Sequence, residues 1–153
     1  MATTTTDLYR SVMGRERKFK ITVGLYPGDG MLDPRWENTT YKSKGVEKTS
    51  FADVTVVKGV KEAEVVPGGG TSLHDVSGWF KCPEFWIPEG TEYSAEINIK
   101  KDAGKKTSAG TGVSGHHYQL EARTQMTVVS FKGHLDNMAR AAVVRQVALA
   151  KVK

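Results

Sequence analysis

Along this chain the apolar residues alternate with polar ones in short runs, and a helical spacing shows only near the end. Residues 8–13 place Tyr9 and Val12 in a short predicted strand. Residues 18–25 carry Phe19, Ile21, Val23 and Leu25 on one side, the period-two pattern of a half-buried strand. Turn residues follow at 27–30 and 33–34, and residues 36–50 are polar with little period, which predicts a loop holding one short element. The β-branched run at 53–60 predicts a strand. Pro67 and Gly68, Gly69 and Gly70 mark the most flexible point, with a short helix opening after them within 71–78.

Residues 85–87 form a short apolar strand stopped by Pro88, and 95–100 alternate Ala95, Ile97 and Ile99 with Glu96, Asn98 and Lys100. The Gly/Ser/Lys segment 101–115 reads as a mobile loop joining two strands, and residues 1–6 are expected to fray. Strands are predicted at 117–122 and 125–131. The one long helix is predicted over 133–153, with Leu135, Met138, Ala139, Ala142 and Leu149 in one stripe that Gln146 interrupts. Asp136 is expected near its start, with Lys151 and Lys153 near its end. Six or seven strands and one terminal helix make an α+β domain of mostly antiparallel sheets, a single unit over residues 1–153.

Composition narrows the function classes. Apolar residues make up 39% and charged ones 25%, which suits a globular core and excludes a disordered chain. No run of apolar residues is long enough to span a bilayer. The polar opening MATTTTDLYR lacks the apolar centre of a leader, so export without a cleaved signal is expected. The single cysteine, Cys82, beside Pro83, reads as a small packing residue. His116 and His117 are adjacent, so in a strand they point apart and cannot share one metal, and no metal is expected. A net charge of +5 favours an anionic partner: a nucleic acid, a phosphate-bearing cofactor or an acidic protein. Its densest groups, residues 15–18, 100–101 and 105–106, also read as solvated surface.

Three places could carry chemistry. Arg10, flanked by Tyr9 and Val12, has the planar fork that suits a carboxylate or pyrophosphate, or it lies on an edge strand in water. Gly68, Gly69 and Gly70 let the backbone approach a ligand that the hydroxyls of Thr71 and Ser72 could orient, or they make a plain turn. His117, Gln119 and Glu121 share one strand face, opposite Tyr118 and Leu120. There Glu121 could accept from a sugar hydroxyl or stabilise a cationic transition state, or simply meet solvent.

Taken in order, a strand arginine, a Thr-Ser pair and a late strand ending Gln-x-Glu resemble the arginine–serine–glutamate pattern of ADP-ribosyltransferases. More of the chain resembles the type six exported effector two family, cytotoxic effectors of the bacterial type VI secretion system. The matching pieces are Leu8-Tyr9-Arg10, Gly69-Gly70-Thr71-Ser72, the turn at 85–91, His117-Tyr118, Gly133-His134-Leu135-Asp136-Asn137 and Arg145-Gln146. Residues 13–67 resemble it little. The resemblance implies an ADP-ribosyltransferase-like fold and NAD as substrate. It implies Thr71, Ser72 and Glu121 as catalytic residues, and Arg10, Tyr9, Gly70 and His117 as NAD-binding ones. It also implies action in the target-cell cytoplasm on an RNA or protein target, and a secretion-apparatus component that carries the toxin. A cognate immunity protein, acidic by charge complementarity, is implied too. An NAD glycohydrolase, a nucleic-acid-binding protein that acts by occupancy, and a structural part of a secretion or tail apparatus are the other readings the residues allow. In the second of these, the aromatic rings of Trp79 and Phe80, beside the basic Lys81, would stack on bases. His134, Asp136 and Asn137 read as helix-start capping partners or as a site at the positive helix end.

Overall fold

The computed structural model describes residues 1–13 and 17–151. Lys153, expected near the helix end, and residues 15 and 16 of the first basic group lie outside them. The chain runs β1 (Ala2–Thr3), β2 (Leu8–Ser11), β3 (Thr39–Ser43), β4 (Val46–Ser50), β5 (Thr55–Lys58), β6 (Ala63–Val66), β7 (Gly70–His74) and β8 (Glu84–Ile87). Then follow β9 (Glu92–Tyr93), β10 (Ile97–Lys101), β11 (Lys106–Thr107), β12 (Ser114–Gly115), β13 (His117–Ala122), β14 (Met126–Thr127) and α1 (Val128–Ala150). All the pairings are antiparallel, so the α+β class holds, with more and shorter strands than the pattern predicts.

The central sheet has the order β10-β13-β7-β2-β8. Leu8, Leu73, Ile87, Ile97 and Leu120 are buried in one core cluster with Phe131, Leu135, Met138, Ala139 and Ala142 of α1. The helix stripe breaks at Gln146, which is 2% exposed and fully used: its Oε1 accepts from Gly24 N at 2.7 Å and its Nε2 donates to Trp86 O at 2.5 Å. Among the described residues no helix is long and apolar enough to cross a membrane.

Five local expectations change. Among the described residues the predicted strand at 18–25 pairs with no other strand. Phe19 and Ile21 pack against the core while Val23 and Leu25 are exposed, and Leu25 N turns back onto Thr22 O at 3.1 Å. The polar stretch 36–50 is the hairpin β3–β4, closed at Lys44 (φ 52°) and Gly45 (φ 77°). These are the left-handed angles of a tight two-residue turn. Both faces of the hairpin meet solvent, so it leaves no hydrophobic period. The expected helix after the glycines is instead β7, paired with β13 on one side and β2 on the other. Of residues 1–6, expected to fray, Ala2 and Thr3 pair with β9, and Thr4 Oγ1 donates to Pro88 O at 2.9 Å.

The last change concerns the helix start. Only Met126 and Thr127 of the predicted strand 125–131 are extended. Thr127 caps α1, its hydroxyl accepting from Ser130 N at 3.1 Å, so the helix begins five residues before the predicted Gly133. Asp136 and Asn137 therefore sit beyond the first two turns and cap nothing. The loop 101–115 holds the small ladder β11–β12, and Ser108 and Thr111 donate to Trp79 O.

Candidate functional site

The site starts from a fault in the central sheet. Strands β2 and β7 share one register pair, Tyr9 with His74. Past that pair they part, while β2 stays zipped to β8 along its whole length. Arg10 bridges the gap. Its Nη1 donates to Ser72 O and its Nη2 to Asp33 O, both at 3.1 Å, and the residue is 8% exposed. The guanidinium thus replaces ladder bonds that the diverging strands cannot make, and it ties the 30s loop to the sheet.

The parted strands open into a cleft of about 780 Å³. Arg10, Ser11, Ser72 and His74 line its sheet side, and Asp33, Pro34 and Trp36 line the loop side. Lys132 and Asp136 of α1 complete it. Trp36 is fixed edge-on against Phe131 with ring centres 6.2 Å apart, and the Lys132 ammonium lies 5.3 Å from the Trp36 ring centre. Asp136 accepts from Gly30 N at 2.9 Å and so pins the loop to the helix. Burial raises the Asp33 carboxyl above the ordinary range, against the opposing pull of Lys132. Two buried oxygens on cleft residues, Ser11 Oγ and Asp33 Oδ1, have no hydrogen-bond partner among the described residues. Such groups suit a ligand that brings hydroxyl or amide donors.

On β7 the register divides the Thr-Ser pair. Thr71 faces the core with no exposed surface, and its hydroxyl donates to Leu32 O at 2.6 Å. Ser72 faces the other way, towards the side chains of β13. Its Oγ lies 2.6 Å from His117 Nε2, and His117 Nδ1 lies 2.7 Å from Asp102 Oδ2. His74 stands 5.3 Å from the His117 ring centre and stacks on Trp79 at 4.2 Å. Burial, then the neighbouring His117, pulls His74 down to about 4, so it is neutral at physiological pH.

The remaining residues singled out in the sequence fall around this centre. Glu121 is 8% exposed, and its Oε1 accepts from Asn98 Nδ2 at 2.6 Å. It shares the Ser72 face but does not line the cleft. Gly70 opposes Glu121, and a Cβ there would meet Leu120 O at 1.9 Å, so the glycine serves close packing of two strands. Tyr9 lies beside His74 in register and does not line the cleft. Thus Arg10 and Ser72 come together at the cleft and His117 joins them through Ser72, while Thr71, Gly70, Tyr9 and Glu121 stand around that core. Sequence reasoning missed Asp102, His74, Trp36 and Lys132. For Asp102 a signal existed: it continues the Asn98, Lys100 alternation of β10, but only the pairing of β10 with β13 shows that this face meets His117. Among the described residues no group of three or more His, Cys, Asp or Glu could hold a metal ion.

Comparison with known proteins agrees with this architecture. The toxin Tse2 of Pseudomonas aeruginosa is 32% identical over 80 residues, which cover 51% of this chain and 48% of that toxin. The chain therefore spans about half the length of the curated relative it matches. A family model described as Tse2 ADP-ribosyltransferase toxin matches residues 6–147, the sheet, the cleft and nearly all of α1. On that match the chain belongs to the Tse2 ADP-ribosyltransferase toxin family.

Proposed function

We propose that the cleft binds NAD and that the protein cleaves the nicotinamide–ribose bond, passing ADP-ribose to a macromolecular acceptor. The observation that carries this reading is the meeting of Arg10 and Ser72 where β2 parts from β7, in a chain of this family. The residues present fit the ligand. Unpartnered Ser11 Oγ and Asp33 Oδ1 offer acceptors for ribose hydroxyls or a carboxamide, and Trp36 offers an aromatic face. Arg10 and Lys132 supply positive charge for a pyrophosphate.

Each residue then takes a role its surroundings allow. Arg10 attracts the phosphates while holding the cleft edges. Ser72 orients the nicotinamide end, and Thr71 fixes the strand behind it by binding Leu32. Tyr9 and Gly70 set the strand spacing on either side of β7, and His117 holds the Ser72 hydroxyl. Glu121, oriented by Asn98, supplies negative charge behind the site as the ribose carbon becomes cationic.

As a member of a toxin family, the protein is proposed to be exported on a secretion-apparatus component. It would act in the cytoplasm of the target cell and be neutralised by an acidic immunity protein, as its net charge of +5 favours. The test is nicotinamide release from NAD by the purified protein, with and without lysate. Release that requires lysate marks a transferase, and the labelled lysate component is its target. Release without lysate marks a glycohydrolase. No release in either condition, from folded protein, refutes the NAD reading.

A further inference from the structure

The hydrogen bonds around His117 have a direction. A carboxylate only accepts, so the Asp102 contact at 2.7 Å requires the proton on His117 Nδ1. In the neutral ring this leaves Nε2 as an acceptor, and its partner at 2.6 Å is the Ser72 hydroxyl. The order Ser72 O–H, His117, Asp102 is that of a hydroxyl activated by an oriented base.

The surroundings support that direction. The His117 backbone is also tied to Asp102, whose N donates to His117 O at 2.9 Å, so carboxylate and ring are held by the same turn after β10. Hydrogen bonding to His117 holds the Asp102 carboxyl below its ordinary range, with the charges of Lys106 and Lys100 acting the same way. The other imidazole beside His117, that of His74, is stacked on Trp79. Ser72 alone of the three lines the cleft.

We propose that Asp102 is a positioning residue that holds His117 in the tautomer able to take a proton from Ser72, making Ser72 the cleft end of a proton relay. The proposal rests on the NAD reading and deepens it by naming how the acceptor is activated. The acceptor oxygen, from water or a macromolecular hydroxyl, bonds to the ribose carbon as the carbon–nitrogen bond breaks. The bonding pair leaves with nicotinamide. The acceptor proton passes to Ser72 Oγ, and the Ser72 proton passes to His117 Nε2, giving an imidazolium that Asp102 stabilises.

The test compares wild type with Asp102→Asn and Asp102→Glu. In the free protein, ¹⁵N shifts of the His117 ring should show Nδ1 protonated in the wild type and in Asp102→Glu. Asp102→Asn should shift the proton to Nε2. Ser72 should react with a sulfonyl fluoride in the wild type and not in Asp102→Asn. Nicotinamide release should fall about 100-fold in Asp102→Asn, the scale of general-base catalysis, with NAD affinity unchanged, and Asp102→Glu should recover part of it. Asp75→Asn, which alters the separate His116 pair, should leave turnover as it is. A His117 ring protonated at Nε2 in the wild type overturns the proposal, as does wild-type turnover in Asp102→Asn. If the wild type releases no nicotinamide, the NAD reading fails, while the ring shifts and the Ser72 labelling still decide the relay.

Discussion

Replacing Thr71 by valine and Ser72 by alanine should separate two jobs that adjacent residues perform. Thr71 is fully buried, and its hydroxyl is a hydrogen-bond donor to Leu32 O, itself on a fully buried residue. Valine keeps the shape and removes the donor. A buried carbonyl stripped of a partner costs about 2 kcal/mol, within the usual range for an unmade hydrogen bond. In a domain of this length each kcal/mol lowers the melting midpoint by about 2–4 °C, so Thr71→Val should melt roughly 4–8 °C lower. Its cleft face is untouched, so nicotinamide release at 25 °C should stay close to wild type. Ser72→Ala removes a partly exposed hydroxyl whose partner, His117, keeps its Asp102 contact. Stability should change by about 1 kcal/mol or less, while turnover collapses with NAD affinity retained. Differential scanning calorimetry and a nicotinamide-release assay on both variants decide it. A Ser72→Ala protein that turns over NAD normally, or a Thr71→Val protein that keeps its melting midpoint and loses turnover, refutes the assignment.

Gly70→Ala should be among the most damaging single substitutions, because its Cβ would stand 1.9 Å from Leu120 O in the paired strand. Separating β7 from β13 should cost at least about 3 kcal/mol, read as a large fall in the urea midpoint. Gln146→Leu leaves Gly24 N and Trp86 O without their partner and should cost about 2–3 kcal/mol, and an unchanged midpoint would show that water replaces both contacts. Acid should also destabilise the fold through His74. Its folded-state value of about 4 lies below the ordinary value of 6.5, so the unfolded chain binds the extra proton in that window. Stability is then full above pH 6.5 and falls as pH drops towards 4, by up to about 3 kcal/mol. His74→Gln should flatten that part of the stability–pH curve, and a curve of unchanged slope would contradict it.

Where burial falls on one face, sequence and structure agree. Leu8, Ile97, Leu120 and Leu135 stand in the core, in elements that the apolar period predicts. The pattern fails where packing is absent or two-sided. The β3–β4 hairpin buries neither face, and the 18–25 segment alternates correctly yet meets no strand edge among the described residues. The start of α1 is misplaced because Val128 and Val129 favour extended structure by propensity, while the Thr127 cap and the burial of Phe131 favour helix. Tertiary packing decides that contest, and local sequence does not contain it. The glycines at 68–70 show the same limit. They read as flexibility, whereas Gly70 is required by close approach to Leu120, a contact formed with a residue fifty positions later.

The candidate site was legible as residue types and not as an arrangement. Arg10, Ser72 and His117 stand out by type, but two registers bring them together: β2 against β7 and β7 against β13. Ser72 is the junction of both. Its carbonyl accepts from Arg10 across the parted strands, and its hydroxyl joins His117 on the other face of the sheet. A shift of β7 by one residue would turn Thr71 towards His117 and Ser72 into the core. The fully buried Thr71–Leu32 hydrogen bond opposes that shift, as does the absence of a Cβ at Gly70. The residues around Ser72 therefore specify its register, and the register places one side chain between a cation at the cleft and a base behind it.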